Sequence, residues 1–254
     1  MKEIFIRKRS LPEAYHAAIL ALHEEGEVLP CGDWNQKQKE ISVTYVADEP
    51  LAEPMISRLY IGGFKELQQY VMEVLDGILD FKIGDGNCWE YTYHDRIVNY
   101  GGFDQFDFML NELKRSSDSR RAVAIIRDNR VDPFNNDPAC LQHIQFFIRG
   151  NKLHSKILMR SNDAPEASFM NAFAFVMLQK RAADALGVGV GSYAHRANSF
   201  HCYEKDFALL DQYADGIKSK SLNEITYEYE NFYKDLMLES VPEIEKAVET
   251  IKNQ

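Results

Sequence analysis

Apolar side chains recur at two different spacings along the chain, and together they predict a mixture of helices and strands. Segments in which apolar residues return every three to four positions are predicted to be helical. These segments are residues 12–25, 64–78, 104–116 and 168–186, and further helices are predicted from about residue 204 onward. The predicted caps are Ser10, Gly26, Asp104 and Gly187.

Shorter apolar runs predict the strands of a β-sheet, over residues 41–46, 121–126 and part of 188–203. A β-hairpin is predicted between residues 141–147 and 153–159, because Gly150-Asn151 is a favoured two-residue turn. With that turn, Arg149 faces Lys152 and Cys140 faces Ser161. The elements predict an α+β fold around one sheet, and no linker divides residues 1–254 into separate domains.

The predicted hairpin brings a thiol close to a cation. Cys140 would lie beside Arg160 and Ser161. A nearby positive charge favours the nucleophilic thiolate, and arginine together with serine can bind phosphate. The arrangement suggests covalent chemistry on a phosphorylated small molecule. The alternative is that Cys140 is an inert core residue of an apolar strand.

Composition narrows the classes of protein. The sequence contains no run of eighteen apolar residues, so no membrane span is predicted, and the first residues lack the apolar core of a signal peptide. The widely spaced cysteines argue against a disulfide framework and a zinc site, so we expect no metal and a cytoplasmic location. They are Cys31, Cys88, Cys140 and Cys202.

The net charge of −10 argues against a nucleic-acid or membrane partner. An anionic substrate would therefore need a local group of arginines. The candidates are Arg120, Arg121 and Arg160.

From Ser119 to Tyr203 the chain resembles thymidylate synthase and its relatives, the pyrimidine nucleotide hydroxymethylases. The matching segments are Asp118-Ser119-Arg120-Arg121, Pro138-Ala139-Cys140, Gln145-Phe146, Arg160-Ser161-Asn162-Asp163, Phe169-Met170-Asn171 and His201-Cys202-Tyr203. Each segment alone is weak, but the ordered set is specific. The first 100 residues match poorly and look closer to a short, archaeal-like branch. The resemblance implies one large mixed β-sheet flanked by helices, in a homodimer formed through the sheet.

The resemblance also implies a chemistry. Cys140 matches a nucleophile that adds to C6 of a pyrimidine nucleoside 5′-monophosphate, which makes C5 nucleophilic. C5 then takes a one-carbon unit from the cofactor, 5,10-methylenetetrahydrofolate. Glu53 follows a predicted strand and turn where the family's catalytic glutamate would fall, and it is the candidate acid or base.

Further matches concern nucleotide binding. Arg160 and Ser161 match residues that bind the 5′-phosphate, and Arg120 and Arg121 match a pair lent to the partner subunit's phosphate. Asn171 matches the residue that reads the base; it favours uracil, although a rotated amide would suit cytosine. His201 and Tyr203 match residues that bond the sugar, and as i and i+2 on a strand they share a face. Singly, each residue also fits a plain structural role: a solvated turn, a helix-terminal polar group or core packing.

Asp163 matches a carboxylate that holds the pterin ring of the folate, and it could also cap the following helix. Tyr91, Tyr93 and Arg96 would line the folate side, or Tyr91 and Tyr93 would belong to an aromatic strand in the core. The sequence supports these two interpretations equally well.

Several positions depart from the family pattern. Leu141 and Gln142 follow the cysteine where most relatives have histidine, Ala167 replaces a usual glycine, and Ser199 replaces a common aspartate. Ala174, where many relatives have serine, would leave room for a ribose 2′-hydroxyl. Residues 249–254 are polar where thymidylate synthases usually end in an apolar tail that excludes water.

These departures favour water access and hence 5-hydroxymethylation of CMP or dCMP. The alternatives are a thymidylate synthase that methylates dUMP and a non-catalytic nucleotide-binding relative.

Overall fold

The computed structural model of the chain describes residues 1–84 and 89–253, so Cys88 lies outside the described residues. The main sheet has the order β1-β3-β8-β7-β6-β5, with β2 paired to β3 off this path. Its strands are β1 (Glu3–Lys8), β2 (Glu27–Cys31), β3 (Gln36–Ala47), β5 (Val123–Ile125), β6 (Leu141–Arg149), β7 (Lys152–Asp163) and β8 (Gly189–Tyr203). A separate pair consists of β4 (Ile56–Ser57) and β9 (Thr226–Tyr227).

The sheet is mixed, as predicted. The pairs β1–β3 and β7–β8 are parallel, whereas β2–β3, β3–β8, β5–β6 and β6–β7 are antiparallel. The parallel pair β7–β8 is connected through a long helix, as a parallel crossover requires. Helices and a large mixed sheet in one chain confirm the α+β prediction.

The helices begin and end close to the predicted positions. They are α1 (Leu11–Glu25), α2 (Phe64–Asp76), α3 (Tyr93–Val98), α4 (Gln105–Arg115), α5 (Ser168–Leu186), α6 (Phe207–Ser219), α7 (Lys234–Glu239) and α8 (Val241–Lys252). Ser10 caps α1 in a reciprocal arrangement with Glu13, Asp104 caps α4, and Gly187 ends α5 in the left-handed conformation. Within the described ranges, none of these helices has the length and hydropathy needed to cross a membrane.

One face of the sheet carries the core. Along β7, Leu153, Ser155, Ile157 and Met159 are buried, while the residues between them are half-buried or exposed. Helix α5, which is almost entirely buried, packs on β7 and β8, and α1 packs on β1 and β3. The other face of the sheet is more open, so the site residues at the end of β7 and β8 lie at the edge of the core.

One of the two interpretations of the aromatic segment was wrong, and two strands were missed. The aromatic segment around Tyr91 is not a strand, because Thr92 caps the short helix α3 and Tyr93 is its first residue. The N-terminal strands β1 and β2 were not predicted, since their sequences alternate too weakly to give a strand signal without their partner β3.

Candidate active site

The thiol of Cys140 lies directly before β6 and opposite Arg160 of β7. The turn at Gly150-Asn151 pairs Arg149 with Lys152 as predicted, but the register shifts between Leu141 and His143. The N–H of Arg160 donates to the carbonyl of Cys140 at 2.8 Å. The predicted pairing of Cys140 with Ser161 is therefore wrong by one residue.

A β-bulge at Gln142 causes the shift. The side-chain amide of Gln142 donates to the carbonyls of Ala139 at 2.8 Å and of Cys140 at 3.3 Å. Gln142 has no partner in β7 at the bulge, and its side chain instead bonds back to the segment that precedes it. The bulge thus places the cysteine across from the cation instead of beyond it.

The guanidinium of Arg160 holds the segment that leads to the thiol. Its Nη2 donates to the carbonyl of Pro138 at 2.6 Å and its Nε to that of Ala139 at 3.2 Å. Burial raises the pKa of the Cys140 thiol, Arg160 lowers it, and Asp137 raises it. The cation expected from the sequence is present, but burial outweighs it, so the thiol is protonated at neutral pH until a base acts on it.

Polar side chains at the ends of the parallel strands β7 and β8 face one another. The register places Ser161 beside Ser199 and Asp163 beside His201. The Nδ1 of His201 lies 3.4 Å from the hydroxyls of Ser161 and Ser199. This pairing brings the residues predicted to bind the phosphate close to those predicted to bind the sugar.

His201 has one ring nitrogen to spare. The residue is 4% exposed, and burial lowers its pKa, so the ring is neutral at pH 7. Its Nε2 is buried and has no hydrogen-bond partner among the described residues. The ring of Tyr203 packs edge-on against it with centroids 4.7 Å apart, which confirms that the two residues share a face.

Asp163 is a half-buried carboxyl group with an unusual proton affinity. Burial raises its pKa to about 7, although the backbone N–H of Glu166 donates to its Oδ1 at 3.1 Å. The carboxylates of Glu166 and Asp206 lie within 4.8 Å of it, and Lys205 neutralises part of their charge. The bond from Glu166 shows that Asp163 organises the turn before α5, but the predicted cap is wrong, because the N-cap of α5 is Ala167 and no side chain caps the helix there.

The amide of Asn171 is bound by a residue that the sequence did not suggest. Asn171 lies in the first turn of α5 and is 5% exposed. Its Oδ1 accepts a hydrogen bond from the hydroxyl of Tyr70 on α2. Burial raises the pKa of Tyr70, so this hydroxyl stays protonated and acts as the donor.

A cavity of about 550 Å³ opens beside the thiol. The hydroxyl of Tyr91 bonds to the backbone of Cys140 and that of Tyr93 to the backbone of Leu141, so the cavity adjoins the nucleophile. The wall is formed by Tyr70, Glu73, Val74, Trp89, Glu90, Tyr91, Thr92, Tyr93, Asn136 and Asp137.

Arg96 supports this wall without lining it. Its side chain is 2% exposed and pairs with Asp132 at 2.8 Å, and its Nη1 donates to the carbonyl of Ile126. The guanidinium lies 5.9 Å from the ring centre of Tyr91 and 4.3 Å from that of Tyr100. Arg96 is therefore a structural residue behind the cavity.

Glu73 is a carboxylate in the cavity wall that sequence reasoning missed. It lies one helical turn after Tyr70, so the two share a face of α2. Burial raises its pKa, and the amide of Gln69 donates to it at 2.9 Å. The signal in the sequence was a glutamate and a tyrosine on the same face as Leu67 and Val74.

The contacts of Glu53 do not support the predicted acid–base role. Its two oxygens accept hydrogen bonds from the backbone N–H groups of Met55, Tyr229 and Glu230 at 2.9, 2.9 and 2.8 Å. A carboxylate saturated by backbone donors holds two chain segments together. Local sequence similarity around Glu53 was too low to distinguish this clamp from a catalytic group.

Arg120 and Arg121 are exposed and lie apart from Cys140 in the single chain. They line a separate surface cavity together with Arg115 and Arg149. The amide of Gln145 donates to the carbonyl of Arg120 at 2.9 Å and fixes the backbone there. Both guanidinium groups are consequently presented outward.

Ala174 does not reach the site. It is fully buried in the hydrophobic core, so it offers no surface to a ribose. The predicted space for a 2′-hydroxyl at this position is corrected, because the one-turn spacing from Asn171 points it into the packing between α5 and its neighbours.

Comparisons with known proteins agree with this arrangement. The sequence model of the family described as Thymidylate synthase matches residues 64–238. A protein of Methanocaldococcus jannaschii named "Putative thymidylate synthase" is 31% identical, over 82% of this chain and 95% of that protein. The "Thymidylate synthase" of Bacillus mojavensis is 28% identical over 50% of this chain and 45% of that protein.

A solved structure shares the fold. The thermostable thymidylate synthase A from Bacillus subtilis superposes with a TM-score of 0.66 and 18% identity, over 81% of this chain and 84% of that one.

Proposed function

The chain belongs to the thymidylate synthase family, and we propose that it uses Cys140 to transfer a one-carbon unit to C5 of a pyrimidine nucleoside 5′-monophosphate, giving a 5-hydroxymethyl product. The observation that carries the proposal is the position of the thiol, which lies between Arg160 and a cavity large enough for a second ligand. A protein that only bound nucleotides would have no physical need for a thiol there.

The nucleotide fits along the ends of β7 and β8. Arg160 and Ser161 would bind the phosphate, and Arg160 would exchange its bonds to backbone carbonyls for stronger bonds to phosphate oxygens. The unpartnered Nε2 of His201 and the hydroxyl of Tyr203 would bond the sugar. Asn171 would then meet the edge of the base.

The cavity suits the folate cofactor that the family implies. Trp89 and Tyr91 offer flat apolar walls for a pterin ring. Asp163 is not part of this lining and lies at the end of β7, where its pKa near neutrality would let it hold a ring nitrogen in either protonation state. When bound, 5,10-methylenetetrahydrofolate supplies the one-carbon unit.

The chain's own residues handle the remaining steps. The sulfur of Cys140 bonds to C6, C5 becomes nucleophilic, and C5 loses its proton after it has gained the one-carbon unit. Glu73 is the proposed proton acceptor, because burial raises its pKa towards the range where a carboxyl group exchanges protons at neutral pH.

Water then completes a hydroxymethyl product. When C5 loses its proton to Glu73, the bond between the new carbon and the folate nitrogen would break, and Glu73 would pass that proton to the nitrogen. The oxygen of water would then bond to the carbon while Glu73 takes the proton of water, and the sulfur would leave C6 as a thiolate. The cavity favours this outcome because its mainly apolar wall also carries the carboxyl groups of Glu73, Glu90 and Asp137, which would bind water there. Methylation of dUMP is the second candidate, favoured by the names of the relatives.

The active form is proposed to be a homodimer. Arg120 and Arg121 are exposed and far from their own chain's thiol environment, as expected if they complete the phosphate site of a partner subunit. The open face of the sheet, where Phe5 and Ile125 are more than half exposed, would form the contact. The free thiols of Cys31, Cys140 and Cys202 support a cytoplasmic location.

Tritium release tests the function directly. CMP, dCMP, UMP and dUMP labelled at C5 are incubated with the protein and methylenetetrahydrofolate, and released tritium is counted. Mass spectrometry of the product separates hydroxymethyl from methyl transfer. The matched control is Cys140→Ser, which should bind nucleotide but release no tritium, since a hydroxyl is a far weaker nucleophile at neutral pH. Release by Cys140→Ser at the wild-type rate would remove the thiol from the mechanism.

A further inference from the structure

We propose that Tyr70 is a positioning residue that fixes the amide of Asn171 in the orientation that accepts cytosine and rejects uracil. The proposal rests on the proposed function and adds the identity of the base. It starts from one contact, the hydrogen bond that the Tyr70 hydroxyl donates to Oδ1 of Asn171. An asparagine amide can read either base, and which one depends on where its oxygen points.

The position of Tyr70 relative to the base follows from its neighbours. Tyr70 contacts Asn171 and is close enough to Cys140 for the thiol's charge to act on it. In the proposed nucleotide complex, the sulfur of Cys140 is bonded to C6 of the base, and the amide of Asn171 lies next to N3 and the substituent at position 4. A residue that is close to both Cys140 and Asn171 could therefore lie along either of two edges of the base, the edge with C5 and C4 or the edge with N1 and C2.

Tyr70 does not lie along the edge of the base that contains N1. N1 carries the sugar, which is assigned to His201 and Tyr203 at the end of β8. Tyr70 comes instead from α2, on the wall of the cavity next to the thiol. It therefore lies along the C5–C4 edge, and the Asn171 oxygen that it binds lies towards position 4.

The other half of the amide must then face N3. The Nδ2 of Asn171 offers N–H donors, so it needs an acceptor at N3, and Oδ1 can accept a second bond from a donor at position 4. Cytosine has both, an unprotonated N3 and an amino group. Uracil has the reverse, an N–H at N3 and a carbonyl at position 4, so donors would face donors and buried polar groups would lose their partners.

Tyr70 can impose this orientation because it is itself held. Helix α2 packs against α5, so the phenol and the amide belong to two helices in contact. The hydroxyl stays protonated because burial raises its pKa. If the Asn171 amide rotated, its NH₂ group would donate to the phenol oxygen, and the proton of the Tyr70 hydroxyl would lose the acceptor that Oδ1 provides.

Equilibrium binding tests the inference without catalysis. Dissociation constants of CMP, dCMP, UMP and dUMP are measured by calorimetry for wild type, Tyr70→Phe and Tyr45→Phe. Tyr45→Phe is the control, because Tyr45 is fully buried outside the cavity lining and its hydroxyl has no hydrogen-bond partner among the described residues. We expect wild type and Tyr45→Phe to prefer cytosine equally, and Tyr70→Phe to lose about ten- to a hundredfold of that preference.

The outcomes separate the two proposals. A general structural defect in Tyr70→Phe would weaken all four nucleotides together and leave the ratio unchanged, which would overturn the inference. A wild-type preference for uracil, with tritium release intact, would overturn the inference and leave the proposed function standing. Failure of wild type to bind any of the four nucleotides would overturn both.

Discussion

The buried ion pair of Arg96 and Asp132 allows a test of what holds the cavity wall in place. The two side chains are 2% and 0% exposed, and Nη2 of Arg96 lies 2.8 Å from Oδ1 of Asp132. The second oxygen of Asp132 accepts a hydrogen bond from the backbone N–H of Asp128 at 2.8 Å. In Asp132→Asn one of these acceptors becomes an NH₂ group that faces another donor, and the Arg96 charge loses its counter-ion.

Removing one partner of a buried pair costs about 3–5 kcal/mol, because the other charge stays buried without compensation. In a protein of this size each kcal/mol lowers Tm by about 2–4 °C, so Asp132→Asn should melt roughly 6–20 °C below wild type. Arg181 and Asp76 form the matched control. They lie 2.7 Å apart but are 43% and 45% exposed, so Asp76→Asn should cost only about 0–1 kcal/mol.

Urea and thermal unfolding of the three proteins measure the difference. All are compared at one protomer concentration, since association shifts apparent stability. Equal losses in Asp132→Asn and Asp76→Asn would show that burial does not determine the cost of breaking these pairs, and the reasoning would be refuted.

Three further predictions concern the site itself. Mixing inactive Arg121→Ala chains with inactive Cys140→Ala chains should restore part of the activity, because one site of a hybrid dimer keeps both groups; verified subunit exchange without recovery would contradict the shared site. Glu73→Gln should lower kcat by about 10²–10⁴-fold while nucleotide dissociation constants stay unchanged; an unaltered pH profile of kcat would exclude Glu73 as the proton acceptor. Burial raises the pKa of Asp163 from 3.8 to about 7, so its contribution to stability is full below pH 3.8 and is lost as the pH rises through about 7. Asp163→Asn should therefore show a smaller fall in urea midpoint than wild type between about pH 5 and about pH 8, and identical falls would rule out this linkage.

The parts of the fold that local chemistry determines could be predicted from the sequence. The caps at Ser10 and Gly187 mark helices correctly because each acts within a few residues of its own position. The turn at Gly150-Asn151 fixes the start of the hairpin for the same reason. The resemblance to the family also implied that Ser161 and His201 serve one nucleotide, and the structure brings these two side chains together at the ends of β7 and β8.

The parts that depend on distant partners could not be predicted. Counting from the turn missed the bulge at Gln142, because its compensating bonds run from a side chain to backbone carbonyls. The contact of Tyr70 could not be predicted, because its partner, Asn171, lies on another helix. Glu53 looked like an unpaired acid for the same reason.

The clamp formed by Glu53 has a consequence for how the chain folds during synthesis. Its carboxylate bonds to backbone groups 176 and 177 residues later in the chain. The segment that carries Cys140 therefore leaves the ribosome well before the clamp can close. Helix α2, which packs against α7 and α8, has to wait for the same late segment. Contacts so distant in sequence form slowly, so the cavity wall that α2 provides is completed among the last parts of the molecule.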